Sequence, residues 1–199
     1  MLYFVRHGQT DWNAEHRLQS RSDIPLNDTG QEQACRIARK FAERRVTFAH
    51  AATSPLVRAR DTARIVLAST PLSITVYAEL TEIDLGDYEG RREDELRSEL
   101  GDRYAEWRHT YFATAAPNGE SRAQAGQRIR RIIERLAELA QREPVLVVGH
   151  QAINMVMKAE LSRRTTADAL RGYMQANDEI DAWDVAKQCL AERIRIEER

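Results

Sequence analysis

Two histidines, two arginines and a glutamate stand just beyond the ends of apolar segments. The run Leu2–Val5 ends in Arg6-His7-Gly8. FAHAATS, 48–54, leads to Arg58; ITVYAEL, 74–80, is followed by Glu82; PVLVVGH, 144–150, closes on His150. These residue types together suit phosphoryl chemistry. A guanidinium fork matches phosphate oxygens in bidentate geometry and stays charged. Gly8 lets backbone N–H groups approach an anion closely. A histidine in such a pocket can attack phosphorus and carry the phosphoryl group. A carboxyl group nearby can protonate the leaving oxygen and then deprotonate water. With enough cationic donors around the equatorial oxygens, the reaction needs no metal.

Each residue alone has a plainer reading. Arg-His-Gly after a strand is a turn, His150 a satisfied polar residue, Glu82 a solvated loop carboxylate. Arg58 is a surface helix residue like Arg60 and Arg64. Their joint placement carries the argument. His7, His150 and Glu82 also make a two-histidine, one-carboxylate metal set. Arg6 and Arg58 would repel a divalent cation, so the expected site holds an anion, with no metal and no cofactor. Asp84, two residues after Glu82, is a second candidate acid.

The segments around these residues alternate between strand and helix signals. Leu2–Val5, 48–54, 74–80 and 144–150 read as strands. Asp28 or Thr29 caps a helix carrying Ala34, Ile37, Ala38, Phe41 and Ala42. Ser54-Pro55 opens another helix with proline at its first position. Ala125, Ile129, Ile132, Leu136 and Leu139 mark a long amphipathic helix, and AINMVMKAEL a buried one. Ile180–Val185 and Leu190–Ile196 are closing strands, with Ile180, Trp183 and Val185 assigned to the core rather than a dimer edge. The alternation predicts an α/β fold with a largely parallel sheet. In such sheets ligands bind outside the carboxyl ends of the strands, where the five residues fall.

The chain has 199 residues, 42% of them hydrophobic, enough for one substantial domain over 1–199. Residues 93–119 read as an insertion that lids the sheet. Thirty basic residues balance 31 acidic ones, which leaves no basic field for nucleic acid. No segment approaches the roughly 20 apolar residues of a membrane span. The apolar start is too short for a signal peptide. Cys35 and Cys189 lack metal-ligand spacing and read as free thiols. A cytoplasmic location is expected, with no nucleic-acid or membrane partner.

The motifs FVRHGQTDWN, DIPLNDTGQEQA, SPLVRARDTA, LTEIDLGDYEG, PNGES and VLVVGH occur in that order. Together they resemble the histidine phosphatase superfamily, the phosphoglycerate mutase-like enzymes, over about Leu2 to Leu161. The resemblance implies a three-layer α/β/α sandwich. It makes His7 the phosphorylated nucleophile and Glu82 the proton donor. Arg6, Arg58 and His150 become the phosphate pocket, with Gly8, Asn13, Gln19 and Gln151 as further phosphate-site residues. Gln9 stands where glutamate is commoner, Ser20 where glycine is usual. Gln151-Ala152 replaces two glycines, as in the fructose-bisphosphatase branch. The implied activity is metal-independent hydrolysis of a small phosphomonoester, by a monomer or homodimer. Cofactor-dependent phosphoglycerate mutase chemistry is the alternative; the short middle of the chain favours an open pocket and hydrolysis. A non-catalytic phosphate-binding regulatory module is a second alternative, disfavoured because all five site residues are present. Tyr104, Trp107, Arg108, His109, Tyr111 and Phe112, with Trp12, are candidates for substrate selection.

Overall fold

Leu2 and Phe4 point to one side of the first strand, Val5 to the other, and all three are fully buried. Val145 to Val148 do the same in the strand beside it. This two-faced burial is what a parallel sheet covered on both sides requires. Each such side chain contributes about 1.5–3 kcal/mol.

The structure is a computed structural model describing residues 1–110, 114–164 and 167–196. In chain order the elements are β1 (Leu2–Arg6), α1 (Asp11–Ala14), α2 (Asp28–Glu43), β2 (His50–Thr53), α3 (Val57–Val66) and β3 (Ile74–Val76). Two 3-10 turns, Ala78–Leu80 and Gly86–Tyr88, precede α4 (Glu93–Leu100) and α5 (Asp102–Thr110). Then follow α6 (Arg122–Ala140), β4 (Val145–Gly149), α7 (Gln151–Ser162), α8 (Ala167–Gly172), β5 (Glu179–Asp184) and β6 (Cys189–Arg195).

The strand order is β3-β2-β4-β1-β5-β6. The first four strands are parallel; β5 and β6 join antiparallel. Helices α6 and α7 pack on Leu2, Phe4, Val145 and Val147. Helices α2 and α3 pack on Val5, Leu146 and Val148. The result is the three-layer sandwich with a largely parallel sheet. Ile180 and Trp183 are fully buried, as core residues should be. Tyr104 and Trp107 on α5 share a separate small cluster with Leu85, Leu96 and Ala116. Among the described residues, no helix is long and apolar enough to cross a membrane.

Three local expectations are corrected. Asn27, not Asp28 or Thr29, caps α2, its side chain accepting from Gly30 N–H at 2.9 Å. Helix α3 begins at Val57 rather than at Pro55, because Ser54 Oγ engages both Leu56 N–H and His150 and holds the chain extended. The third strand ends at Val76, and Ala78–Leu80 coils into a 3-10 turn that buries Leu80 and carries the chain towards α7.

Candidate active site

Strands β1 and β4 are neighbours, with Arg6 opposite Gly149. His7 and His150 therefore leave the sheet side by side, their ring centroids 5.1 Å apart. On β4's other side, β2 is aligned with Thr53 opposite Val148. That register delivers Ser54 to His150 and, from the first turn of α3, Arg58 to His7.

The His7 tautomer follows from its partners. Nδ1 lies 2.7 Å from the Gly8 carbonyl oxygen, which can only accept. Nδ1 therefore carries the proton, and Nε2 keeps its lone pair. Arg58 Nε donates to that Nε2 at 3.3 Å. The rest of the Arg58 guanidinium donates to Ser20 O at 2.6 Å and Ser22 O at 2.8 Å, which fixes its plane. Burial first, then the Arg58 and Arg6 charges, hold the His7 imidazole well below its ordinary range. It is a neutral base at neutral pH.

His150 Nε2 meets Ser54 Oγ at 2.7 Å. The Ser54 hydroxyl also accepts from Leu56 N–H at 3.3 Å. The other ring nitrogen, His150 Nδ1, is buried and has no partner. Burial, then Arg58, His7 and Arg6, keeps His150 well below the usual histidine range as well. Arg6 Nε and Gln19 Nε2 are buried donors that likewise lack partners. Burial pushes Arg58 down to about 10, so it stays charged at neutral pH.

Glu82 sits at the start of α7. Its carboxylate accepts from Ala152 N–H and Ile153 N–H at 3.1 Å each, and from Ile83 N–H at 2.9 Å. The helix terminus supplies two donors otherwise left over. Arg128 clamps the approach to this glutamate, donating to the Glu79 and Thr81 carbonyls and pairing with Glu120.

Arg6, His7, Arg58 and His150 thus surround one small volume, and Glu82 lies across the α7 N-terminus beside His150. The other expectations divide. Asn13 serves in the capping box of α1 and donates to Gln19 Oε1 at 3.0 Å. That contact turns the free Gln19 Nε2 outward from the pair. Gln151 lines a neighbouring cavity. For Gly8 the reason is corrected: its N–H is committed to Thr62 Oγ1 at 3.0 Å, and a Cβ would lie 2.2 Å from Gly30 O. Glycine is required there by helix packing. Asp84 is also redirected, pairing with Arg21 at 3.1 Å. His7, His150 and Glu82 do not assemble as a metal-ligand group among the described residues. Arg108 and His109 line the cavity, whereas Tyr104 and Trp107 are packing residues. Trp12 packs against Gly90. Tyr111 and Phe112 lie outside the described residues.

Several positioning residues escaped the sequence reading. Thr62 follows Arg58 by one helical turn, a spacing that could have flagged it. Ser54 stood in view as a hydroxyl at a strand end. Asn177 Nδ2 donates to His7 O at 2.5 Å, and Gln175 Nε2 to Phe4 O at 2.8 Å. These two come from the far end of the chain and carry no local signal.

The model of the histidine phosphatase superfamily (branch 1) matches residues 2–188. The adenosylcobalamin/alpha-ribazole phosphatase of Escherichia coli K12 is 32% identical over 160 residues, covering 80% of this chain and 78% of that protein. A protein of Citrobacter koseri named "Probable phosphoglycerate mutase GpmB" is 34% identical over 149 residues, covering 75% and 68%. Among solved structures, a mycobacterial glucosyl-3-phosphoglycerate phosphatase bound to VO3 superposes with TM-score 0.81 at 28% identity, covering 90% of each chain. The alpha-ribazole phosphatase of Shigella flexneri gives TM-score 0.81 at 27% identity, covering 98% of this chain and 96% of that one.

Proposed function

The chain belongs to the histidine phosphatase superfamily, and on that premise we propose that it hydrolyses a small phosphomonoester through a phosphohistidine on His7. The observation that carries the reading is the His7 tautomer. Its Nδ1–H is tied to Gly8 O, so the Nε2 lone pair faces a pocket of cations. Nε2 attacks phosphorus, forming the N–P bond as the P–O ester bond breaks. Arg6, Arg58 and His150 Nδ1–H hold the three non-bridging oxygens as charge redistributes. Glu82, in its protonated form, gives its proton to the leaving oxygen. In the second step Glu82 takes a proton from water, whose oxygen attacks phosphorus and releases phosphate and neutral His7. No step calls for a metal.

The relatives named as phosphatases support hydrolysis, and bound VO3 in one of them supports a phosphoryl-sized oxyanion site. In this reading the described part of the insertion, residues 93–110 and 114–119, serves as the lid and brings Arg108 and His109 to the leaving-group side. The five reacting groups come from one chain, which serves a monomer or a homodimer equally. Two exposed, unpaired cysteines, Cys35 and Cys189, fit work in a reducing cytoplasm. The test is phosphate release from a generic aryl phosphate in chelator, with wild type and His7→Ala side by side. Turnover by the wild type alone is expected. Equal release by His7→Ala overturns the mechanism. Phosphoryl transfer to a sugar acid, with no release to water, would favour the mutase alternative.

A further inference from the structure

The peptide joining His7 to Gly8 is held differently from its neighbours. His7 N–H donates to Gly149 O at 3.0 Å, so the preceding peptide is fixed by the β1–β4 ladder. Gln9 N–H donates to Gln33 Oε1 at 2.8 Å, and Gln9 O accepts from Asn27 N–H at 3.1 Å, which anchors the following segment on α2 and its cap. Both ends of the His7–Gly8 peptide instead meet side chains. Its N–H donates to Thr62 Oγ1 at 3.0 Å, and its oxygen accepts from Asn177 Nδ2 at 2.5 Å. Thr62 is aimed by its own bond to Arg58 O at 2.7 Å. Asn177 belongs to a loop laid across the end of β1, where pairing with β5 stops at Val5 opposite Ile180. Gln175 Nε2 fixes that loop by donating to Phe4 O and Glu179 O. Asn154 Nδ2 donates to Val5 O and Gln175 Oε1, and Ala176 N–H donates to the Glu179 carboxylate.

Glycine makes this peptide the one that most needs holding. The approach of Gly30 leaves no room for a Cβ at position 8. Turning the peptide over would carry Gly8 towards positive φ, which glycine adopts at no steric cost. A trans peptide points its C=O and N–H in opposite directions, so Asn177 and Thr62 grip one plane from two sides. That plane sets the place of Gly8 O, the acceptor of His7 Nδ1–H at 2.7 Å. Resting on the phosphatase reading, we infer that Asn177 and Thr62 are positioning residues for the nucleophile. Together they clamp the His7–Gly8 peptide, and through Gly8 O they keep Nδ1 of His7 occupied and Nε2 aimed at phosphorus. Without either one, glycine lets the peptide turn, Gly8 O leaves Nδ1, and the imidazole loses the tie that fixes its tautomer.

Two measurements on the intact protein test this, the first independent of catalysis. Amide hydrogen exchange followed by NMR reads the Gly8 N–H. In Asn177→Ala it should exchange about tenfold faster than in the wild type, although its acceptor Thr62 is unchanged. His7 N–H, bonded to Gly149 O, should keep its protection. Gly8 protection equal to the wild type overturns the clamp. The second measurement is single-turnover cleavage of an aryl phosphate by the wild type, Thr62→Val, Asn177→Ala and the double variant. Each single substitution should slow cleavage by about tenfold or more. The double variant should be no more than about twofold slower than the slower single, because the same plane is freed in all three. Thr62→Ser, which keeps the hydroxyl, should stay close to the wild-type rate. Effects that multiply in the double variant overturn the shared plane, and unchanged rates in both singles overturn the positioning role. Thr62 is fully buried and Asn177 half-buried, so Asn177→Ala keeps the exchange and rate measurements open if Thr62→Val does not fold. A wild type that cleaves no aryl phosphate would overturn the phosphatase reading, and the exchange result would still decide the clamp.

Discussion

Two polar clusters are buried in this molecule, and they are built on opposite terms. On the antiparallel side of the sheet, Lys158 and Asp181 are both fully buried and 2.5 Å apart. Arg193 adds two bonds to the same carboxylate, at 2.7 and 2.9 Å. Glu179 beside it accepts from Arg195 and from Ala176 N–H. Burial pushes Lys158 down to about 8, but its partner keeps it in place. At the carboxyl ends of β1 and β4 the balance differs. Two histidines and two arginines crowd together, and the one carboxylate beside them, Glu82, is held by backbone N–H groups rather than by either arginine. Arg6 Nε, Gln19 Nε2 and His150 Nδ1 are left without partners. Buried charge alone therefore does not mark a functional site. What sets the second cluster apart is that its unpaired donors converge at the carboxyl ends of neighbouring strands. The first cluster is completed by the protein; the second, in the proposed function, is completed by the substrate's phosphoryl oxygens.

That contrast predicts opposite responses to substitution. His7→Ala should abolish turnover, by several orders of magnitude, while leaving the denaturant midpoint unchanged or raised. A variant that loses activity only because it unfolds would erase the distinction. Glu82→Gln should cost on the order of a hundredfold or more with alkyl phosphates and much less with good aryl leaving groups, which need little protonation. Equal losses on both would remove Glu82 as the acid. Lys158→Met should do the reverse of His7→Ala. Urea unfolding should show about 3 kcal/mol lost, because Asp181 keeps Arg193 but not its buried ammonium. The folded fraction should retain wild-type kcat/KM.

The smallest effect is a pH dependence of stability. Both site histidines have folded-state pKa values held below the unfolded value. The unfolded chain then binds more protons in acid. Their stabilisation is complete above about pH 6.5 and is lost as pH falls towards the folded-state values. The slope reaches about 1.4 kcal/mol per pH unit for each histidine. Urea midpoints measured from neutral pH downwards should show this slope reduced in His7→Ala. An unchanged slope would place the acid sensitivity elsewhere.

Much of the site was legible because its residues fall at strand ends, which the hydrophobic pattern locates well. Arg6, His7, Arg58 and His150 meet as that pattern implies. What lay beyond reach depended on long-range register. Nothing local to Asn177 says that its amide will hold the His7 carbonyl. The third strand was read too long because Tyr77 to Leu80 is apolar enough for either a strand or a buried turn. Gly8 was legible as a special position, but its cause, the close approach of Gly30, belongs to packing. The satisfied Lys158–Asp181–Arg193 cluster left no trace in the sequence, since Asp181 is 23 residues from Lys158 and 12 from Arg193, on three elements.

The most direct test of the account reads the bond it says is made. The enzyme is quenched in base during turnover of an aryl phosphate, digested, and its phosphohistidine assigned by mass spectrometry and phosphorus NMR. The account predicts a phosphoryl group on Nε2 of His7, absent from His7→Ala. An adduct on Nδ1, or on another residue, would contradict it.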